Sequence, residues 1–310
     1  MTDKLSPTEY NFIDPEQAQL PLELKKIETT HERRRDIGDG LGIIGDTRPG
    51  VGPKDGLPDI RWLPIEVAPH PVTIKTKDNE IGPITILPFF MAQYQITYAQ
   101  FDTFLRAEDG FKEDRWWFGV PEQYQKQAMR SPRTKIANAP RDSISWYQCV
   151  AFARWLSHRL NGWEQPHFNG QLLRVGDNAE VRLPTEWEWQ WAAQGGMEAR
   201  QYPWGKWQDG SANTSEAGLS RTTAVGMYPQ GSTAIGLMDM AGNLFEWCQN
   251  DYKDFLIVDG YDNKQHKVLR GGSFDANRHR ATCAARYDHP VNNRHFRHGL
   301  RVVVGPPLRP

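Results

Sequence analysis

The sequence predicts an α+β protein that is loop-rich, with a few helices and short strands. Three observations predict it. Capped helical segments fall between residues 97 and 193, while the stretch after Gly195-Gly196 holds only short segments separated by turns. The chain also carries 22 Pro, 27 Gly and 12 Trp, which favours irregular backbone held by aromatic anchors.

The elements follow in order. Residues 1–60 read as a loop-rich N-terminal arm or extension. Within it, residues 21–35 are amphipathic and suit a short helix, and residues 36–59, dense in Gly, Pro and Asp, read as extended loop. No Gly-Lys-Ser or Gly-Lys-Thr follows those glycines, so they are not a phosphate loop. Residues 61–74 look like entry into a sheet, and residues 83–94 like one strand or two joined at Pro88. In residues 97–107, Phe101, Phe104 and Leu105 share a helical face and Thr97 can cap. Residues 143–160 give the clearest helix, with Ser145 as N-cap, an apolar stripe of Val150, Ala151, Trp155 and Leu160, and Asn161-Gly162 at its end. Residues 185–193 form a third, capped by Thr185 with Glu188 in the capping-box position.

Composition sets the outer bounds. The chain has 310 residues, room for one large or two small domains, and is 38% hydrophobic and 11% aromatic, enough for a real core. Its 37 basic and 38 acidic residues give a net charge of −1, with no global pull toward nucleic acid or anionic membranes. No apolar run approaches the ~18 residues of a membrane span, and the N-terminus lacks a signal-peptide apolar core. Cys149, Cys248 and Cys283 lie too far apart for a metal or disulfide framework. Free thiols in a cytoplasmic protein are the expectation.

The C-terminal 43 residues are compositionally biased. Residues 268–310 contain no Lys, Glu, Gln, Trp or Met, types that sum to 67 of the 310. At that rate roughly nine would be expected. Codons ending in a pyrimidine never specify these five types. A segment diversified from Asn codons by replacing adenines would have this composition.

The motifs then carry a resemblance. RLPTEWEWQWAAQGG (182–196), YPWG (202–205), GLMDMAGNLFEWC (236–248), VLRGGSF (268–274) and GLRVV (299–303) occur in one order. With FFMAQYQITYAQFDTFL (89–105) and PRDSISWYQCVAFARWLS (140–157), they make residues 61–304 resemble the sulfatase-modifying-factor, or formylglycine-generating-enzyme-like, family. The resemblance implies a C-type-lectin-like fold and leaves residues 305–310 as a tail. It does not fix an activity, because one fold hosts enzymes and binders. Trp187, Trp189, Trp191, Trp204, Phe245 and Trp247 read as core anchors, and Gly271-Gly272 as a site of tight backbone packing. No cofactor is certain. Calcium is the one the resemblance suggests, through Asn243 and Glu246 near GN-x-x-EW and through Asn213, with backbone bonding in the turn as the alternative for Asn243 and Glu246.

The resemblance also allows tests for chemistry. Formylglycine-generating enzymes hold copper between two cysteines shortly after GGS. Residues 274–282 here contain none, and Cys283 aligns with the cysteine outside that pair, so one thiol cannot supply a two-thiolate site. The sulfoxide synthases of the family hold iron through an H-x3-H-x-E pattern that this chain lacks. His279, His289, His295 and His298 cluster in the tail, among arginines that repel cations. The balance favours a binder over an enzyme, with a metal-dependent oxidoreductase of this family as the alternative.

The binding branch of the fold comprises the variable proteins of diversity-generating retroelements. The tail resembles their frame at Arg270-Gly271-Gly272-Ser273, Cys283-Ala284-Ala285-Arg286, Pro290, Arg294 and Gly299-Leu300-Arg301-Val302-Val303, with Leu300 where Phe is common. Between these lie the candidate variable, ligand-binding positions Asp275, Ala276, His279, Arg280, Thr282, Ala285, Tyr287, Asp288, His289, Val291, His295, Phe296, Arg297 and His298. The expected partner is a protein or other macromolecular ligand bound through this hypervariable surface. Tyr, Phe and Arg there are the types that dominate binding hot spots. Nucleic acid is disfavoured, since Asp275 and Asp288 dilute the seven Arg and four His between Arg270 and Arg301.

Overall fold

The computed structural model describes residues 20, 22–258, 261–262 and 265–308. In the arm, residues 22–24 are helical and residues 25–30 turn away before helix α1 (His31–Ile44) begins. Thr30 caps α1 by accepting from the Arg33 amide. This corrects two expectations: the helix starts later than the amphipathic stretch, and it runs through Gly38, Gly40 and Gly42, where extended loop was expected. Two of those glycines serve contact. A Cβ on Gly38 would lie 2.8 Å from Ala224 Cβ, and one on Gly42 would lie 2.3 Å from Ile136 Cγ2. The α1 backbone can approach the body only because both side chains are absent. The buried Arg34 guanidinium completes the seam, donating to the carbonyls of Leu24, Lys26, Thr29 and Met227.

The body follows as β1 (Pro53–Lys54), β2 (Leu57–Pro58), β3 (Trp62–Ile65), β4 (Val72–Lys75), β5 (Glu80–Ile84) and β6 (Phe89–Ala92). Leu87-Pro88 separates β5 from β6, so the proline divides two strands. Helices α2 (Tyr98–Arg106) and α3 (Trp146–Arg159) come next, then β7 (Glu164–Pro166), β8 (Leu172–Arg174), β9 (Glu180–Arg182) and helix α4 (Glu186–Gln194). After α4 come β10 (Phe245–Asp251), β11 (His266–Arg270), β12 (Tyr287–Pro290), β13 (His298–Gly299) and β14 (Val303–Gly305). Thr97, Ser145 and Thr185 cap their helices in full capping boxes with Gln100, Gln148 and Glu188. Gly195 ends α4 in the left-handed conformation.

Two four-stranded sheets organise the body. One has the order β3-β6-β14-β9, and the other β12-β11-β10-β13. In the first, Val303 pairs with Met91 on one side and Arg182 on the other, so the end of the GLRVV motif is a central strand. In the second, β13 runs parallel to β10, with Phe245 opposite His298. Both flanks of the C-terminal segment are thereby fixed inside sheets.

Aromatic packing fills the interior. Phe101 stacks on Phe152 with ring centroids 5.0 Å apart, between α2 and α3. The Trp146 indole donates to the Cys248 carbonyl at 3.0 Å, and that of Trp247 to the Ile144 carbonyl at 3.2 Å. Each buries a large apolar surface without orphaning its N–H. Trp189, Trp191, Phe245 and Trp247 are buried as expected of anchors, whereas Trp187 and Trp204 are part-buried. Among the described residues no helix is long and apolar enough to cross a membrane.

Candidate functional site

Buried arginines peg the C-terminal segment at intervals. Arg270 donates to the carbonyls of Cys283 and Ala285, both at 2.9 Å, and to Gln190 Oε1. Arg286 clamps both carboxylate oxygens of Glu186, at 2.7 and 2.9 Å, and donates to the Tyr252 carbonyl. Glu186 also lies 3.5 Å from Arg270, so one buried carboxylate serves two guanidinium groups. Arg301 pairs with Glu246. Such buried charges are tolerable because most of their N–H groups find acceptors and each faces a carboxylate, with Arg270 Nε left unpartnered. Gly271 and Gly272 tighten the frame. Both have positive φ, and a Cβ on Gly272 would meet Ala281 Cβ at 2.9 Å.

Between the pegs the chain turns outward. Asn277 caps a short 3-10 turn at Arg278–Arg280, which carries His279 and Arg280 fully into solvent. The Arg280 guanidinium lies 4.4 Å from the Tyr287 ring centroid, and Tyr287 meets Phe245 edge-on at 5.3 Å. Phe296 stacks near Phe274, and Arg297 forms an ion pair with Asp275. Asp275, Thr282, Tyr287, Asp288, His289, His295, Phe296 and Arg297 are all part-exposed. Asp288 accepts from His266 Nδ1 at 2.5 Å. Ring contacts join His289, His295 and Phe296, with the Asp275–Arg297 pair beside them, while Asp288, next along β12, turns to His266.

Four candidate positions do not reach solvent. Ala276, Ala285, Val291 and His298 are buried, so their side chains face the core instead of solvent. Ala276 and Val291 belong to the main hydrophobic cluster. His298 packs edge-on against Trp247 at 5.1 Å, with Nδ1 lacking a hydrogen-bond partner. Its ring also lies 4.5 Å from His289 and 5.3 Å from His295. Burial pushes all three pKa values below the ordinary histidine range, His298 furthest.

Of the expected calcium ligands in the same region, Glu246 is already engaged. The buried Glu246 carboxylate accepts from Arg301, from the Trp189 indole at 2.7 Å and from Gln95 at 3.0 Å. An arginine already neutralises the oxygens a hard cation would need. Asn213 donates to Asn243 Oδ1 at 3.2 Å, and that oxygen also accepts from the Thr223 amide. Asn243, at φ +63°, therefore ties its turn to the separate segment holding Asn213 and Thr223, and among the described residues its side chain does not bond within the turn itself. Among the described residues no group of three His, Cys, Asp or Glu side chains is arranged to hold a metal.

The three cysteines are buried and unpaired. Burial raises each thiol, Cys283 to about 12, the opposite of an activated thiolate. Residues that sequence reasoning missed come from a distant loop. The Arg133 guanidinium sits 4.8 Å from the Phe296 centroid, and Arg130 donates to the Arg294 carbonyl. Nothing in the spacing of Arg-Ser-Pro-Arg signals a contact more than 150 residues away.

One antiparallel and one mixed four-stranded sheet, short ribbons and a long looped C-terminal segment define the class: a C-type-lectin-like fold. Residues 65–306 match the family model described as "Sulfatase-modifying factor enzyme 1-like domain", and the chain belongs to that family. A formylglycine-generating enzyme of Thermomonospora curvata is 26% identical over 253 residues, covering 64% of this chain and 74% of that protein. One of Streptomyces coelicolor is 31% identical over 183 residues, covering 51% of this chain and 50% of its own length. The chain thus spans about half of that relative. Among solved structures, Treponema denticola variable protein 1 aligns with a TM-score of 0.55 and 19% identity, covering 79% of this chain and 95% of that one.

Proposed function

We propose that this protein is a non-enzymatic, receptor-like variable protein of a diversity-generating retroelement, displaying a hypervariable C-terminal surface for a protein ligand. One observation carries the reading: the tail alternates buried arginine pegs with side chains free to change. Arg270, Arg286 and Arg301 are buried and bonded, while His279, Arg280, Tyr287, Asp288, Phe296 and Arg297 between them face outward. Substitution at outward positions costs little folding energy, so the frame tolerates diversity there. The bias against Lys, Glu, Gln, Trp and Met fits pyrimidine-ending codons. A solved neighbour that shares the fold is itself named a variable protein.

The names of the curated relatives supply the second reading, a metal-dependent oxidoreductase. Against it stands Cys283, a buried thiol whose pKa is pushed up to about 12. One experiment separates the two. The full chain is displayed with His279, Arg280, Tyr287, Asp288, Phe296 and Arg297 randomised over pyrimidine-ending codons, and selected against an unrelated protein. Folded clones that bind the target are expected. A library that unfolds, or oxidation of a peptide cysteine by the copper-loaded protein, would overturn the reading.

A further inference from the structure

Beside the C-terminal face lies a hollow of about 320 Å³, bounded by Arg130, Arg133, Arg294, His295 and Phe296. Three guanidinium groups meet there without a carboxylate. Arg130 donates to the Arg294 carbonyl at 3.2 Å, and Arg294 donates to the Ala128 carbonyl at 2.9 Å. Both bonds go to backbone and leave each charge uncompensated. Arg133 makes no hydrogen bond through its side chain among the described residues; its guanidinium packs 4.8 Å from the Phe296 centroid and 5.5 Å from that of Phe274. The carboxylates nearby are engaged elsewhere. Asp142 accepts the backbone amide of Arg133, and Asp275 pairs with Arg297.

Such crowding is unfavourable unless something answers it. Burial, and then repulsion from Arg130, lower the pKa of Arg294. Like charges this close repel even at a solvated surface. Packing against two aromatic rings holds the Arg133 guanidinium without using its N–H groups, which can grip a carboxylate through two parallel bonds. A second hollow, of about 400 Å³, shares Arg133 and adds Lys135. Among the described residues, four cations without a carboxylate partner therefore line a short band in a chain whose net charge is −1.

We propose that this band is an anion subsite that receives Asp or Glu side chains of the bound protein. This rests on the ligand-binding reading above and names its partner's chemistry: an acidic protein segment docks on Arg130, Arg133 and Arg294 while the variable side chains read the surface around it. A protein partner is favoured over nucleic acid because the band is short. Beyond it Arg221 is neutralised by Asp39 and Arg297 by Asp275, so the free cations are too few for a phosphate backbone that must meet several in a row.

The test uses the full chain and a fluorescein-labelled oligoglutamate, read by anisotropy at low salt. The wild type is expected to bind, and the triple variant R130Q/R133Q/R294Q to lose at least roughly tenfold in affinity. Arg133→Gln alone breaks no hydrogen bond in the fold, so its loss of several-fold keeps the test clear of misfolding. Lys54→Gln with Arg61→Gln, basic residues elsewhere, should leave binding intact. Failure of the wild type to bind, equal binding by the triple variant, or tighter binding of an oligothymidylate of the same length would overturn the subsite. Tyr287→Ala should not affect oligoglutamate. A successful library selection with no oligoglutamate binding therefore sinks the subsite alone. Oligoglutamate binding with a failed selection supports the subsite while the receptor reading falls.

Discussion

Glu246 and Arg301 form a fully buried ion pair, 2.9 Å apart, that joins the two sheets. Glu246 lies on β10, while Arg301 sits just before β14 in the other sheet. The remaining Arg301 donors go to the carbonyls of Ala92 and Gln93, at the end of β6, and of Met238. One side chain thus ties the C-terminal strand, its neighbour in the sheet and the loop before β10. The motifs containing Glu246 and Arg301 are distant in sequence and meet here as charge and countercharge.

Removing one partner should therefore be costly. Glu246→Gln leaves a buried guanidinium without its counterion and is expected to destabilise the fold by about 3–5 kcal/mol. Urea denaturation measures it. The loss should be the same with calcium or with a chelator present, since Arg301 already neutralises Glu246. Rescue of the variant by calcium would show that the carboxylate serves a cation instead.

Two glycines predict opposite signs. Gly272 has φ +77°, and an added Cβ would meet Ala281 Cβ at 2.9 Å and its Cα at 3.0 Å. Gly272→Ala should cost about 2 kcal/mol or more from strain and overlap together. Gly40 lies inside α1 with nothing within 4 Å of its Cβ position. Gly40→Ala should gain up to about 1 kcal/mol of helix propensity. Thermal unfolding of both variants decides it, and a destabilising Gly40→Ala would mean that α1 is not a helix there.

The helices of the body were legible because their signals are local. Thr97, Ser145 and Thr185 each read as an N-cap ahead of an apolar stretch, and Thr185 with Glu188 also as a capping box; the structure adds Gln100 and Gln148 as the partners of the other two. The course of α1 was not legible, because glycine has two uses that read alike. Gly38 and Gly42 look like loop residues, yet they let a helix touch Ala224 and Ile136, contacts that only the folded chain defines. The frame of the tail could be read from its arginines and glycines. Which free positions face inward could not. Val291 and His298 carry no local mark of burial, and Arg133 reaches Phe296 only through tertiary folding.

Two buried titrating groups give opposite pH slopes. His298 has a depressed pKa, first from burial and then from His289, His295 and Arg297. As pH falls below about 6.5 the unfolded chain takes up a proton here that the native state refuses, so stability falls. Asp239 is raised from 3.8 to about 6, chiefly by burial. Its contribution is fully present below 3.8 and is lost as pH rises through 6. Urea midpoints at about pH 7 and pH 5.5 separate them. His298→Phe should flatten the acid loss, and Asp239→Asn should steepen it. An unchanged slope in His298→Phe would show that another group sets the acid limb.

Alanine substitution along the tail should divide sharply in its effect on stability. Arg286 bonds both oxygens of Glu186 in the interior, and Arg286→Ala would strand that carboxylate beside Arg270 alone, at a cost of about 3 kcal/mol or more. Arg280 is exposed and touches only the faces of Tyr287 and Phe245, so Arg280→Ala should stay within about 0.5 kcal/mol of wild type. His279, exposed on the same turn, should behave likewise. For a selected protein target the order reverses: Arg280→Ala and Tyr287→Ala should each weaken binding by tenfold or more, because an aromatic ring topped by a guanidinium is a typical hot-spot pair. Chemical denaturation and binding titration on the same set of variants give both readouts. If stability and affinity fell together at every position, the outward residues would be part of the frame, and the tail could not vary without unfolding.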